Sequence, residues 1–237
     1  MTDDLIYDDV DVLAMLDALL VNRGHDWWDG FYADRAKPCP FFTAAPCESL
    51  AEWVDTGLIR PGRALDLGCG HGRNAVFLAQ RGFAVEGVDY SQKAIEWAAE
   101  RATEAGVTVA WQCRSVFDIE IEPGSCDLVY DSGCFHHLPP HRRRTYVDRV
   151  SAALKPGGWF ALTCFRPEGG SGLTDIEVYE RRSLGGGLGY TEERLRAIWS
   201  KALDIGVIRP MHRQPARSGL FGADFLWALL ARKPLTP

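Results

Sequence analysis

Short apolar runs alternate with longer segments of helical periodicity along most of this 237-residue chain. Aliphatic and aromatic runs bounded by polar or glycine-rich stretches predict seven strands. We place them at residues 63–67, 84–88, 107–112, 126–130, 159–165, 205–209 and 225–231. Helical segments separate the first five runs, which is typical of an α/β fold with a doubly wound, mostly parallel sheet and helices on both faces. Ligands of such folds bind outside the carboxyl ends of the strands.

The segment before the first strand has two parts. Apolar residues near helical spacing from Val10 to Leu20 predict an amphipathic helix that ends around Gly24. Residues 25–46 then interleave aromatic side chains with prolines, which is too broken for a long helix and predicts a packed aromatic flap. A short helix is expected at residues 48–57 before the sheet begins.

After residue 165 the pattern loosens into two glycine-rich stretches, at residues 169–172 and 185–189. Thr191 is a plausible N-cap for a helix that follows them. The chain shows no repeat, and we interpret residues 1–237 as one domain. Its expected parts are the helix and aromatic flap (1–60), a ligand-binding core (61–165), and a substrate loop with the C-terminal strands (166–237).

Composition excludes several classes of protein. The formal net charge of -6 argues against a nucleic-acid-binding surface. Five aspartates in the first eleven residues are unlike a secretory signal, and no apolar run reaches membrane-spanning length. The seven cysteines include no C-x-x-C pair, so neither a disulfide framework nor a zinc site is indicated. We expect a cytoplasmic protein, monomeric or homodimeric, that binds no membrane.

The most informative segment joins the first strand to the helix that starts near Asn74. Asp66 lies at the end of that strand, and Gly68, Gly70 and Gly72 follow, so that the backbone can turn sharply and approach a ligand closely. A nicotinamide site prefers G-x-G-x-x-G, whereas Arg73 stands at the place of its third glycine. A carboxylate at Asp66 would repel a pyrophosphate but could hold the ammonium of S-adenosylmethionine.

Asp89 ends the second predicted strand, where a doubly wound fold presents an acid to ribose hydroxyls. The glycine-rich turn alone is weak evidence, because tight strand-to-helix packing also requires one. An aspartate before the turn and another at the end of the next strand make the signal specific. Together they predict a site for S-adenosylmethionine.

Five segments of the chain resemble the class I (Rossmann-like) S-adenosylmethionine-dependent methyltransferase family. The resemblance lies at residues 65–72 (Leu-Asp-Leu-Gly-Cys-Gly-His-Gly) with 87–91, and continues at 115–118, 127–138 and 154–159. It implies a Rossmann-like fold in which Asp66 holds the methionine part, Asp89 the ribose and Asp118 the adenine. The aromatic flap bears a weaker similarity to the thiopurine, tellurite and thiol methyltransferases.

The residues expected to bind this cofactor come from the flap, the loop and the strand ends. They are Trp28, Tyr32, Asp66, Gly68, Cys69, Gly70, Asn74, Asp89, Tyr90, Ser91, Ser115, Phe117, Asp118, Asp131 and Ser132. Trp28 and Tyr32 are included because aromatic faces attract a sulfonium cation and can close over an apolar acceptor, although ordinary core packing would also explain such residues.

Methyl transfer is a nucleophilic displacement, so the protein must chiefly align the reactants and exclude water. Thiolates and metalloid oxyanions attack unaided near neutral pH, whereas alcohols and protonated amines need a general base. His136 and His137, which follow the fourth strand, are the best catalytic candidates, with Asp131 as a third. One histidine of the pair is expected only to support the next helix.

Contacts with the methyl acceptor are expected from the flap, the histidines and the glycine-rich region. The candidates are Phe42, His136, Arg182, Tyr190 and Arg217. His137 and His141 share helical spacing, but two prolines intervene and no carboxylate completes the set, so no metal site is predicted.

The sequence thus predicts an enzyme that uses S-adenosylmethionine to methylate a small-molecule acceptor, at a thiol or chalcogen or at a hydroxyl of a metabolite. One alternative is a nicotinamide-dependent oxidoreductase, disfavoured by Asp66, by Arg73 and by the lack of an evident Tyr-x-x-x-Lys pair near the fourth strand. The other is a non-catalytic cofactor-binding protein.

Overall fold

The computed structural model describes residues 5–20, 24–215 and 217–235. The helices are α1 Asp9–Leu19, α2 His25–Ala33, α3 Glu48–Asp55, α4 Arg73–Gln80, α5 Gln92–Glu104, α6 Arg143–Ala153, α7 Asp175–Glu180 and α8 Glu192–Trp199. The strands are β1 Arg63–Leu67, β2 Ala84–Asp89, β3 Ala110–Cys113, β4 Cys126–Ser132, β5 Leu154–Phe165, β6 Asp204–Pro210 and β7 Leu226–Arg232. None of these helices is long and apolar enough to cross a membrane.

The strands form one sheet in the order β3-β2-β1-β4-β5-β7-β6. Neighbours among β1 to β5 pair in parallel, and β7 runs antiparallel to both β5 and β6. The seven-stranded, mostly parallel sheet predicted from the sequence is confirmed. Strand order reverses between β1 and β4, and this switch point opens a crevice at the carboxyl ends of the strands.

Two apolar clusters cover the two faces of the sheet, because successive strand side chains point to opposite sides. Leu65 and Val129 belong to the cluster that also holds residues of α6 and α8. Ala64 and Leu128 belong to the other cluster, with residues of α3 and α4. Burial on both faces explains why these strands are continuous apolar runs in the sequence.

Two helices lie in segments that we predicted to be irregular. The prolines of the flap begin only at Pro38, so the backbone of α2 is free to form a nine-residue helix. α7 lies between the glycine-rich stretches and begins with a capping box, in which the Thr174 and Glu177 side chains each bond the other's backbone amide.

Other boundaries differ by a few residues. α1 ends at Leu19 rather than near Gly24, although residues 21–23 lie outside the described part of the chain. β3 spans only Ala110–Cys113, three residues later in its start than predicted. The predicted N-cap is confirmed, since the Thr191 side chain accepts a hydrogen bond from the Arg194 amide.

Candidate cofactor and acceptor site

A cavity of about 600 Å³ lies at the carboxyl ends of β1, β2, β4 and β5. Asp66, Gly68 and Asp89 line one end, which we call the cofactor end. His136 and Phe165 line the other end, which we call the acceptor end, with aromatic side chains of the flap. This is the position that the doubly wound topology predicts for a ligand.

The loop after β1 is shaped by glycines that no other residue could replace without strain. Gly68 and Gly70 have φ of 66° and 54°, in the left-handed region that side chains disfavour. A Cβ atom on Gly70 would also lie 2.7 Å from the Tyr32 hydroxyl. The loop backbone therefore packs directly against Tyr32 of the flap. The amides of the loop lie close to the cavity, which Gly68 and Gly70 line.

Asp89, at the end of β2, holds the loop in place and also faces the cavity. One carboxylate oxygen accepts a hydrogen bond from the Gly70 amide at 2.8 Å, and the other accepts one from Ser91 at 2.9 Å. Burial raises the pKa of Asp89 to about 6, although these hydrogen bonds oppose the shift. Each carboxylate oxygen keeps a lone pair that can accept a hydrogen bond from a ligand hydroxyl.

Asp66, at the end of β1, is 1% exposed and lines the same cavity. Among the described residues, neither of its carboxylate oxygens has a hydrogen-bond partner of standard geometry. Burial raises its pKa to about 8, with a further contribution from the charge of Asp131 and an opposing one from Arg73. A buried, unsatisfied carboxylate is costly, so this position favours a cationic ligand group.

Arg73, the first residue of α4, also lines the cavity. The sequence analysis cited it only as an argument against binding of a dinucleotide. Its guanidinium donates to the Ala45 carbonyl at 3.0 Å, to the Cys47 sulfur at 3.1 Å and to the Ser132 hydroxyl at 3.3 Å. The side chain is 7% exposed and lines the cavity. A positive charge at a helix N-terminus is unfavourable because it opposes the helix dipole. An arginine at such a position is therefore a sequence signal for a functional residue.

Other predicted cofactor residues divide into two groups. Those that line the cavity are Trp28, Tyr32, Cys69, Asn74, Tyr90, Ser115, Phe117 and Ser132. Ser91 does not line it, because its buried hydroxyl caps α5 at the Ala94 amide and donates to Asp29. Asp118 is exposed beside Phe117 and is not a lining residue, so its contact with adenine stays a prediction.

The aromatic flap covers the loop and reaches the histidines. The Trp28 ring meets the His137 ring edge-on, with centroids 4.9 Å apart. Phe42, predicted to contact the acceptor, instead packs against His71 and Trp97 and is not a lining residue, whereas its neighbour Phe41 is. The Phe42 prediction is corrected by one position, because adjacent side chains point in different directions.

His71 couples the loop to the flap. Its Nε2 lies 2.7 Å from the Phe41 carbonyl oxygen, and its ring contacts Trp97. Burial lowers the pKa of His71 to about 4, which keeps the ring neutral and makes Nε2 the donor to that carbonyl. The flap is therefore tied to the cofactor loop by a hydrogen bond that does not depend on pH near neutrality.

His136 and His137 lie in a 3-10 turn, Phe135–His137, directly after β4. His136 is 4% exposed, stacks on Phe165 with ring centroids 3.7 Å apart, and accepts a hydrogen bond from the Phe165 amide at Nδ1. His137 is half-buried. Both line the acceptor end of the cavity, where we predicted the catalytic candidates.

Asp131, which we predicted to be a catalytic and cofactor-binding residue, lies away from the cavity. Its carboxylate is fully buried and accepts hydrogen bonds from the amides of Cys134 at 2.8 Å and Phe135 at 3.0 Å, and from the Tyr146 hydroxyl. It is not among the residues that line the cavity. Asp131 therefore holds the turn that presents the two histidines.

Three predicted acceptor contacts do not reach the cavity either. Tyr190 is fully buried in the core, where its hydroxyl accepts a hydrogen bond from Arg143, and burial raises its pKa to about 12. Arg182 and Arg217 are exposed and are not lining residues. The positions of these three residues in the glycine-rich and C-terminal segments of the sequence did not indicate where their side chains would lie in the folded protein.

Sequence reasoning missed the wall that β5 and the C-terminal segments contribute. Thr163, Phe165, Phe221 and Phe225 all line the cavity. Thr163 and Phe165 are two residues apart at the end of a strand, so they share one face of the sheet. That alternation was visible in the sequence, but its orientation toward the cavity was not.

Comparison with known proteins identifies the core of the chain. Residues 64–158 match a family model described as a methyltransferase domain. A ubiquinone biosynthesis O-methyltransferase from Chromobacterium violaceum is 32% identical over 138 residues, which cover 57% of this chain and 56% of that protein. A 2-heptyl-1-hydroxyquinolin-4(1H)-one methyltransferase from Mycobacteroides abscessus is 29% identical over 131 residues, covering 55% and 57%. The chain thus spans little more than half the length of these relatives.

A solved structure extends the likeness of fold to nearly the whole chain. It is the 1,6-didemethyltoxoflavin-N1-methyltransferase of Burkholderia thailandensis, with its substrate and S-adenosylhomocysteine bound. The two chains are 24% identical with a TM-score of 0.62, over 98% of this chain and 93% of that one. The sheet and these matches show that the chain has the fold of the class I methyltransferases and that its residues 64–158 are similar to a methyltransferase domain.

Proposed function

We propose that this protein transfers a methyl group from S-adenosylmethionine to a small-molecule acceptor with a largely aromatic or apolar body. The observation that carries the proposal is the buried carboxyl group of Asp66 together with the buried guanidinium of Arg73 at the cofactor end. Asp66 has no hydrogen-bond partner of standard geometry among the described residues, and the Arg73 guanidinium bonds only a carbonyl, a thiol and a hydroxyl. An α-amino acid carries the complementary ammonium and carboxylate.

The residues present fit this cofactor. Asp66 would accept the ammonium, Arg73 would donate to the carboxylate, and Asp89 would accept the ribose hydroxyls through its remaining lone pairs. Tyr90 and Phe117 line the same end and offer apolar surface to the adenine. When bound, S-adenosylmethionine supplies a methyl group made electrophilic by its sulfonium sulfur.

The acceptor end has a different character. Phe165, Phe225 and the flap residues Trp28 and Phe41 line it, whereas the Phe221 ring packs against the guanidinium of Arg73, with the centroid 4.2 Å from Cζ. Such a surface suits a flat, apolar molecule, and it excludes the water that would compete with the acceptor. The name of one relative, a ubiquinone biosynthesis O-methyltransferase, supports transfer to oxygen, and the name of another, a hydroxyquinolone methyltransferase, supports an aromatic acceptor. A thiol or chalcogen acceptor remains the alternative.

Methyl transfer on this chain is chiefly a matter of alignment. The loop fixes the donor, the 3-10 turn held by Asp131 presents His136 and His137, and the flap closes the cavity above them. No observation favours a nicotinamide-dependent reaction, because the buried carboxylate of Asp66 lies where a pyrophosphate would have to approach the loop.

The remaining expectations concern partners and location. The net charge of -6 supports the expectation that nucleic acid is not a partner. A cytoplasmic location and a monomeric or homodimeric state stay predictions. Gel filtration with light scattering would determine the oligomeric state.

A labelled-methyl screen tests the proposed function. Protein is incubated with S-adenosylmethionine labelled in the methyl group and with panels of phenols, hydroxyquinolones, thiols and amines. We expect label in aromatic hydroxyl compounds, and much less label with the Asp89→Ala variant at a limiting concentration of S-adenosylmethionine. Tight binding of S-adenosylhomocysteine with no labelled product in any panel would support a non-catalytic protein instead.

A further inference from the structure

Two contacts with Phe165 fix the imidazole of His136, and a third contact fixes the backbone of His136. Its Nδ1 lies 3.2 Å from the Phe165 amide nitrogen, and its ring is stacked within 13° of parallel on the Phe165 ring. Its own carbonyl oxygen accepts a hydrogen bond from the Leu188 amide at 2.7 Å. The ring therefore has one defined orientation relative to the end of β5.

The hydrogen bond at Nδ1 determines where the proton of the neutral ring resides. A backbone amide can only donate, so Nδ1 must offer a lone pair to the Phe165 amide. In a neutral imidazole the other nitrogen, Nε2, then carries the hydrogen. Protonation of Nδ1 would set two N–H groups against each other at 3.2 Å.

The position of Phe165 explains why this hydrogen bond is maintained. The last residue of β4, Ser132, pairs with Thr163 of β5. Phe165 lies two residues further along β5, so β4 has no residue that can accept a hydrogen bond from the Phe165 amide. The neighbouring strand β7 lies on the other side, and the carbonyl of Phe225, the residue just before β7, accepts a hydrogen bond from the next amide, that of Arg166. His136 Nδ1 takes the place of the missing strand partner, and a buried amide is costly to leave unpaired.

We propose that His136 holds the methyl acceptor through Nε2–H, as a hydrogen-bond donor and not as a general base. The inference rests on the proposed function. A donor at this position selects acceptors that present an anionic oxygen or sulfur, which are phenol-like hydroxyls or thiols acidic enough to ionise before transfer. Neutral aliphatic alcohols and protonated amines must lose a proton to be methylated, and a ring that donates at Nε2 while Nδ1 bonds the Phe165 amide cannot accept that proton.

The reaction balances without a proton acceptor on His136. A lone pair of the ionised oxygen or sulfur forms the new bond to the methyl carbon. The bond from that carbon to the sulfonium sulfur breaks, and its electron pair leaves sulfur neutral. The products are a methyl ether or thioether and S-adenosylhomocysteine, and the acceptor lost its proton to solvent before it bound.

Nuclear magnetic resonance of protein labelled with nitrogen-15 in its histidines tests the proton position directly, without an acceptor. Loss of one ring in His136→Gln assigns His136, and loss of another in the exposed His212→Gln controls the assignment. At pH 8 we expect an unprotonated Nδ1 and a protonated Nε2. A proton on Nδ1 of the neutral ring overturns the proposal.

The pH dependence of kcat/KM tests the acceptor class. With a series of nitrophenols and thiophenols, we expect the inflection to follow the acidity of each acceptor and to stay in place in His136→Phe, which keeps the ring stack but lacks the donor. His136→Phe should raise KM at least fivefold, and His136→Gln, which can still donate, should raise it less. An inflection that stays constant across acceptors and disappears in His136→Phe identifies a base and overturns the proposal.

Two outcomes separate this inference from the proposed function. If S-adenosylhomocysteine does not bind, the proposed function fails. If it binds and alcohols or amines are methylated while ionised phenols and thiols are not, only the inference on His136 fails. Tight cofactor binding with no acceptor methylated in any class contradicts the proposed function and the acceptor class, whereas the resonance experiment still decides the proton position.

Discussion

At the scale of single residues, the unusual feature is a carboxylate and a guanidinium buried near each other without being paired. Asp66 is 1% exposed and Arg73 is 7% exposed, and the charge of Arg73 lowers the pKa of Asp66 against the effect of burial. Isolated charges of this kind are costly to bury. A ligand that carries both opposite charges offsets the cost at both residues.

The Arg73→Met variant tests the role of the guanidinium. We expect it to weaken S-adenosylhomocysteine binding by roughly 10- to 100-fold, the effect of losing a hydrogen bond to a charged group. Binding of 5′-methylthioadenosine, which lacks the amino acid, should change less than threefold. Arg81→Met, at the other end of α4 in an exposed ion pair with Asp55, is the matched control. Equal losses for both ligands in calorimetry would mean that Arg73 only supports the fold.

The raised pKa of Asp66, about 8, predicts a pH dependence of binding. The ionised carboxylate binds the ammonium, so affinity for S-adenosylhomocysteine should rise between pH 6 and 7.5, by up to about tenfold per pH unit. The Asp66→Asn variant should bind weakly and lose this dependence. Affinity that is constant over the range in the wild type contradicts an Asp66 contact with the ammonium.

The same shift predicts how the ligand-free protein responds to pH. A carboxyl whose pKa is raised by folding binds more protons in the folded state between its unfolded value, about 4, and about 8. Its contribution to stability therefore falls as pH rises through this window. In thermal denaturation, Tm of the wild type should decrease from pH 6 to pH 8 more steeply than Tm of Asp66→Asn.

Residue roles were predictable from the sequence where a motif fixes them and not where distance in space decides. Asp66, Asp89 and the loop glycines follow from their places at strand ends. Tyr190 illustrates the limit, because an aromatic residue after a glycine-rich tract suits a binding loop and a core equally well. Only the folded chain reveals that its ring packs on Phe135.

At the scale of elements, the turn after β4 depends on one buried carboxylate. Asp131 satisfies two amides at the start of the 3-10 turn and the hydroxyl of Tyr146 in α6. In the sequence, an aspartate at the end of a strand looks the same whether it is catalytic or, like Asp131, bonds the backbone of the turn that follows. The function of Asp131 is to fix the turn.

The Asp131→Ala variant should therefore act first on stability. We expect the free energy of unfolding in urea to fall by about 2–4 kcal/mol, because two or three buried donors lose their partner. Asp131→Asn, which keeps an acceptor oxygen, should be milder and should bind S-adenosylhomocysteine within about threefold of the wild type. Unchanged stability with abolished cofactor binding would restore Asp131 as a cofactor contact.

The flap is attached to the cofactor-binding core by Asp29 of α2. Its carboxylate accepts hydrogen bonds from the Ser91 hydroxyl at 2.6 Å and the Lys93 amide at 3.1 Å, at the start of α5. Both hydrogen bonds favour the ionised acid at a helix N-terminus. The sequence predicted a flap here but not which residue anchors it, because the anchor pairs two segments about 60 residues apart.

The Asp29→Ala variant should loosen the flap without removing a cofactor contact. We expect faster hydrogen exchange in residues 25–46 and a rise of about 3- to 10-fold in the dissociation constant of S-adenosylhomocysteine. Asp26→Ala, at a fully exposed position of the same helix, is the control. Equal exchange rates in the two variants would mean that the other contacts of the flap, which include the hydrogen bond between His71 and the Phe41 carbonyl, are sufficient to hold it.

At the scale of the whole molecule, the alternation of strands and helices was enough to predict the sheet. The core strands are buried on both faces, so their sequences are unambiguous apolar runs. The position of the cavity then follows from the strand order. The acceptor wall did not follow, because it combines β5, the flap and segments near Phe221 and Phe225 that are distant in sequence.

Calorimetric titration of S-adenosylhomocysteine into the wild type and Asp89→Ala tests the central claim most directly. Asp89 both fixes the Gly70 amide and faces the cavity. We predict saturable binding at one site per chain that Asp89→Ala weakens by roughly 10- to 100-fold. Absence of binding to the wild type, or tighter binding of NADH than of S-adenosylhomocysteine, would contradict the account.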